Sequence, residues 1–269
     1  MQKRTVRLTE SAIMLAFATV LSLVTILKMP YGGSVTACSA LPLLLIAYRY
    51  GTRWGLFTAG VYGLLQMLIG MKNVMYFTTP LSIAAVIVLD YLLAFAVLGL
   101  GGVFRKCCRR QADALVLGGL LACVLRYICH TVSGCTIWAG LSIPNEQALL
   151  YSLAYNATYM IPETIVTLLG AALIGQMLDF RGETVTRVTT EGGRFDWFAA
   201  GAGCLVVATL VYDVREIFSH LQNPDTGDFM ITGLTQVSWP AVGIVTLVGA
   251  ALALLLLLIR HLRRAKKAQ

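Results

Sequence analysis

The sequence predicts an all-α integral membrane protein, and three observations predict it. Hydrophobic residues make up 58% of the chain and charged residues 13%, with a mean hydropathy of +0.76, a balance that soluble globular domains do not carry. Apolar runs recur at lengths near the roughly 20 residues a helix needs to cross a bilayer. Lys and Arg collect in the breaks between these runs, and they do so with a one-sided bias.

Eight hydrophobic segments follow in order, at about 10–28, 36–50, 53–71, 79–104, 112–139, 149–178, 195–214 and 238–260. The first comes after the basic stretch Met1 to Arg7. Its apolar run from Ala12 to Leu27 has no small-residue cleavage site, so it reads as a span and not as a removable leader. The second is short and opens with Ser39-Ala40-Leu41-Pro42, which suits a partial or broken span. Arg49-Tyr50-Gly51-Thr52-Arg53 separates it from the third, and Arg105-Lys106-Cys107-Cys108-Arg109-Arg110 closes the fourth. Segments five and six carry most of the polar residues found at membrane depth. The seventh and eighth are joined by a long acidic loop, Asp213 to Gln236, and a basic tail follows.

Charge fixes an orientation. Of 21 Lys and Arg, only Lys28, Lys72 and Arg215 fall in one set of loops and Arg126 lies inside a span, so the other 17 share the opposite side. The positive-inside rule then places both termini in the cytoplasm. The net charge of +8 is accounted for by this bias and implies no nucleic-acid partner. Seven cysteines at irregular places read as small apolar fillers, with neither a disulfide framework nor a metal site.

The stretch from Arg126 to Trp138 stands out. On a helix His130, Gly134 and Trp138 are spaced i, i+4, i+8 and share a face, with Arg126 one turn below. That face suits either close helix packing, with Gly134 as the notch, or a flat ligand. Asn156, Tyr159 and Glu163 fall on one face of the sixth segment, which begins near Tyr151. Tyr76 precedes the fourth segment, Asp90-Tyr91 lies within it, and Tyr62 is in the third. The tyrosines also suit an interfacial aromatic belt. A lone charge at this depth is costly, so Arg126 and Glu163 are expected to pair across neighbouring segments. Asp90 is left without an evident protein partner, so it is either neutral or balanced by a cationic ligand. No Ser, Cys or metal-dependent catalytic signature and no phosphate loop occurs, so an enzyme or a self-sufficient ATPase is not expected. Ala12 and Ala16 form a small-xxx-small pattern that suits bundle packing or a docking face for another membrane subunit.

These residues resemble the thiamine-specific substrate-binding (S) component of energy-coupling factor transporters. The resemblance rests on Leu8-Thr9-Glu10 with Ala12 and Ala16, Tyr76-Phe77-Thr78-Thr79-Pro80, Asp90-Tyr91-Leu92-Leu93-Ala94-Phe95, Arg126-Tyr127 with His130, Gly134 and Trp138, and Tyr151 through Glu163. It implies a six-helix bundle over residues 1–180 with an outward-facing thiamine pocket, in a bacterial plasma membrane, and it leaves 181–269 as an added pair of spans. Asp90 would face the thiazolium with Tyr91 beside it, His130 and Asn156 would bond the aminopyrimidine, and Trp138 would stack on a ring. Tyr151 and Tyr76 would close the wall, and Tyr62 stands where a family member can have Trp. Ala12 and Ala16 would meet the transmembrane coupling subunit, which works with two cytoplasmic ATPases. Thiamine would be cargo and not a cofactor. A stand-alone secondary transporter, with Asp90 or Glu163 as a proton relay, is the alternative.

Overall fold

The protein, seen here as a computed structural model, is described over residues 2–29, 32–139, 147–188, 197–221 and 230–268. It forms two compact units, Met1–Val188 and Thr189–Gln269.

The first unit begins with α1 (Gln2–Leu23), which ends earlier than the hydrophobic run predicts. The chain then turns into a hairpin of β1 (Thr25–Lys28) and β2 (Ser34–Thr36), pairing Thr25 with Thr36 and Lys28 with Ser34. The β-branched Thr25, Ile26, Val35 and Thr36 favour extended backbone, and they override the apolar pattern that suggested helix. Gly32, at φ +108°, supplies a backbone conformation near the turn that other residues resist.

Helix α2 (Leu41–Tyr50) is the short segment that the sequence marks as partial. Gly51, at φ +89°, reverses the chain directly into α3 (Thr52–Ile69). A single turn at Met71–Val74 leads to α4 (Pro80–Lys106), then α5 (Gln111–Thr136) and α6 (Ala148–Met177). The last 10 residues of α4, Val97–Lys106, are wound as a 3₁₀ helix. Its glycines explain how it packs. A Cβ on Gly99 would strike the Gly55–Leu56 backbone of α3, and one on Gly118 of α5 would strike Gly101. Backbones touch there, so no side chain fits.

Connectivity puts the hairpin, the 70–79 connection and the end of α5 at one end of this unit. The other end holds the α2–α3 turn and the start of α1. Arg49, 8% exposed, ties that second end together. Its guanidinium grips Glu10 of α1 at 2.6 and 3.0 Å. It also donates to the carbonyls of Phe180, Gly182 and Glu183 just after α6, beside the short pair β3 (Leu178–Asp179) and β4 (Thr186–Arg187). Removing one partner of such a buried cluster strands the others. Arg49→Met is expected to cost about 2–3 kcal/mol of stability, seen as a lower melting temperature in detergent. Ligand affinity should stay within about 3-fold, because among the described residues no hydrogen bond or ion pair links Arg49 to the Asp90 cluster. A loss of affinity without a loss of stability would contradict this.

The second unit is a pair of packed helices, α7 (Trp197–Leu221) and α8 (Trp239–Ala268). Helix α7 continues past residue 214, where the sequence suggests a loop. Asp213 lies on that helix and accepts a 2.7 Å hydrogen bond from Thr246 of α8. A neighbouring hydroxyl therefore lets the helix carry a carboxylate that hydropathy alone would exclude. Part of the expected acidic loop lies outside the described residues. Among the described residues, five helices are long and apolar enough to cross a membrane, and Leu41–Tyr50 is a shorter apolar one.

Candidate ligand-binding site

Asp90 and Tyr91 lie where α4 changes its winding. Thr79 caps the helix, its hydroxyl accepting from the Ser82 amide at 3.2 Å, and Pro80 occupies the first turn. Ile87–Leu93 is then wound as a π-helix, a widened turn that turns side chains off the regular helical face and is common at functional sites. It aims Asp90 at α5.

Three groups meet that carboxylate. His130 Nδ1 lies 3.0 Å from Oδ1, while Ser133 Oγ and Trp138 Nε1 donate to Oδ2 at 2.6 and 2.9 Å. Asp90 therefore does have protein partners, contrary to the expectation from sequence. All three come from α5 and its end, and Ser133 is three residues from His130 on the face already singled out. A carboxylate has about four acceptor positions, and the Asp90 and His130 side chains are both 13% exposed. These three contacts leave one acceptor position of the carboxylate unused.

Trp138 reaches Asp90 because the helix stops. Helix α5 ends at Thr136, and the amides of Ile137 and Trp138 both fold back onto the Ser133 carbonyl, at 2.7 and 3.2 Å. The indole is set against Phe77 (4.8 Å, edge-on) and Tyr76 (6.2 Å, edge-on). Val74, Phe77 and Val86 form the buried wall behind it, with Tyr91 and Ile137 packed against them. Tyr91 donates to the Gly70 carbonyl at 3.1 Å. Phe77 and Ser133 are the members that residue-by-residue reading passed over. The periodicity of α5 marks Ser133, whereas nothing local marks Phe77.

The remaining candidates sort by depth and face. Tyr151, Gly134 and Asn156 are buried. Asn156 donates to the Ser152 carbonyl and accepts from the Tyr159 hydroxyl, both through its amide, at 2.9 and 2.7 Å. Tyr62 is 1% exposed and packs in the interior against Ala18, Leu43 and Leu98, with Phe95 edge-on at 5.3 Å. Its hydroxyl points at the Ala18 carbonyl of α1, so it supports the bundle and stands apart from the Asp90 cluster. His130 Nε2 is buried and finds no hydrogen-bond partner among the described residues. Ala12 and Ala16 are exposed along α1, with Ile13 at 49%, Phe17 at 57% and Val20 at 59%.

The structure does not bring Arg126 and Glu163 together as an ion pair. Arg126 lies over the Phe95 ring, 4.6 Å from its centroid. Glu163 takes the Thr36 amide at 2.5 Å and the Thr36 hydroxyl at 2.6 Å, with Ser39 Oγ at 3.5 Å. The cost of a lone charge suggests a pair, but the hairpin folds back onto α6 and reaches the carboxylate first. The hairpin touches α6 elsewhere too. A Cβ on Gly33 would come 2.8 Å from the Tyr159 ring.

Known proteins give this arrangement a context. The family model described as thiamine transporter protein matches residues 8–179, which contain every residue of the Asp90 cluster. The chain is similar to the thiamine transporter ThiT of Bacillus subtilis (strain 168), with 37% identity over 175 residues, spanning 61% of this chain and 87% of that one. It is also similar to the solved structure of ThiT from Listeria monocytogenes, with a TM-score of 0.54 and 25% identity over 64% of this chain and 94% of that one. The family match ends before α7 and α8. These relatives are named as transporters, a non-enzymatic function, and the fold is that of a multi-pass cell-membrane protein. The chain belongs to the thiamine transporter protein family.

Proposed function

We propose that the chain is the thiamine-binding S component of an energy-coupling factor transporter. One observation carries the ligand assignment: a carboxylate, Asp90, held by the Trp138 indole, against which the rings of Phe77 and Tyr76 pack edge-on. A flat heteroaromatic cation suits a carboxylate flanked by aromatic rings. Asp90 faces the thiazolium with Tyr91 beside it. His130 bonds the aminopyrimidine through the free Nε2, joined by Asn156, while Trp138 stacks and Gly134, Tyr151 and Tyr76 complete the wall. Arg126 and Glu163 support the fold, as Tyr62 does from below. Residues 1–180 form the binding domain and 181–269 the added pair, with both termini in the cytoplasm. Thiamine is the cargo, and no cofactor is required.

Every proposed contact lies in this chain. The purified protein is therefore expected to bind thiamine without ATP or any partner, with tryptophan quenching and measurable heat in a calorimetric titration. Neither signal up to millimolar thiamine would end the reading.

Energy comes from elsewhere. The exposed Ala12 and Ala16 let a helix of the transmembrane coupling subunit approach α1 closely, and that subunit works with two ATPases. Replacing both alanines with Leu is expected to abolish cellular uptake and leave thiamine affinity within about 3-fold, since contacts this far apart act independently. Equal loss of both would place this face inside the bundle. Uptake by the chain alone in proteoliposomes would favour secondary transport instead.

A further inference from the structure

We propose that Ser133 is the positioning residue that holds the Asp90 carboxylate in place for the cationic ring. The inference rests on the reading of Asp90 given above.

Several threonine hydroxyls on the helices bond the carbonyl four residues back. Thr136 donates to Val132, Thr164 to Met160, Thr58 to Trp54 and Thr19 to Leu15. That bond is local and needs no tertiary partner. Ser133, like Ser152, bonds to a neighbouring helix instead. Its proton goes to Asp90 Oδ2 at 2.6 Å, the shortest contact the carboxylate makes. Ser133 is 0% exposed, so it approaches from the protein side and leaves the unused acceptor position of Asp90 to the ligand. It also shares Oδ2 with the indole of Trp138. One hydroxyl therefore constrains both the charge that faces the cation and the ring that stacks on it. The π-wound turn swings Asp90 toward α5. What fixes the carboxylate there is the donor set of α5, of which Ser133 is the fully buried member.

The test is a double-mutant cycle read with two ligands, thiamine and a neutral analogue lacking the thiazolium charge. Ser133→Ala is expected to weaken thiamine about 10-fold, the scale of one hydrogen bond to a charged group, and the neutral analogue by less than about 3-fold. In an Asp90→Ala background the same substitution should change thiamine affinity by less than about 2-fold, because its target is gone. Ser133→Thr, which keeps the hydroxyl, should restore most of the preference for the cation. In ligand-free protein labelled with 5-fluorotryptophan, the Trp138 resonance, assigned with Trp138→Phe, should move in Ser133→Ala. Equal losses for both ligands, or a full effect in the Asp90→Ala background, would show that Ser133 only packs and would overturn the proposal. An unmoved Trp138 resonance would do the same. Absence of thiamine binding by the unsubstituted chain sinks the ligand reading alone, since the fluorine signal reports the ligand-free cluster.

Discussion

Asp90→Asn is expected to weaken thiamine binding by about 1.5–3 kcal/mol, the range of a charge-assisted contact, and to spare a neutral analogue without the thiazolium charge. Shape is kept and charge is lost. The amide also brings donor hydrogens toward a cluster already made of donors: Ser133 and Trp138 both donate to one carboxylate oxygen. If the amide oxygen takes that position, the nitrogen faces His130, whose ring can present an acceptor. The cluster can therefore be rebuilt around Asn, and the melting temperature should fall by only a few degrees. Calorimetry with the two ligands decides the matter. If Asp90→Asn weakens both equally, Asp90 is not the partner of the cation and the charge argument for the pocket fails.

The parts of this site that were legible in the sequence were those encoded within one helix. Helical spacing singled out His130 and Trp138 together, and the structure brings both to Asp90, His130 from the helix and Trp138 from the turn that ends it. Each of the eight hydrophobic segments holds one of the helices α1 through α8, although α2, at 10 residues, is too short to cross a bilayer. What escaped depends on contacts between distant residues. The π-turn at Ile87–Leu93 leaves no mark in a hydropathy pattern, yet it decides where Asp90 points. The hairpin was hidden because Thr25 to Lys28 extends an apolar run that already reads as helix. Ser133 was visible as a polar residue on the right face but had no identified recipient. Its recipient lies 43 positions away, on a turn whose direction was unknown.

The same limit explains the fate of the two other intramembrane charges. Opposite charges on neighbouring segments invite a pairing argument, and desolvation makes that argument reasonable. It ignores neutral donors, which satisfy a buried carboxylate at smaller desolvation cost than a second ion. Thr36 supplies two such donors from 127 residues away. Arg126 then settles over an aromatic face, where the ring of Phe95 offers a site that needs no counter-charge in contact.

Glu163 is therefore expected to act as the anchor of the hairpin. It is 4% exposed, and its carboxylate receives both the backbone amide and the hydroxyl of Thr36, the residue that ends β2. Glu163→Ala removes the acceptor and leaves two donors without a partner at a buried site, at a cost of about 2–4 kcal/mol. Glu163→Gln should cost about half as much, because the amide oxygen can still accept one of the two bonds. The loss should appear locally before it appears globally. Hydrogen exchange at Thr36 and the hairpin amides should speed up by more than that at the amides of α5, since the hairpin opens when its root is released. Arg126→Gln should speed hairpin exchange much less than Glu163→Gln does, and the double substitution should cost clearly more than either alone. If instead the Arg126 and Glu163 substitutions cost the same and the double substitution costs no more than either alone, the two residues act as a pair. The Thr36 bonds would then not be what holds Glu163.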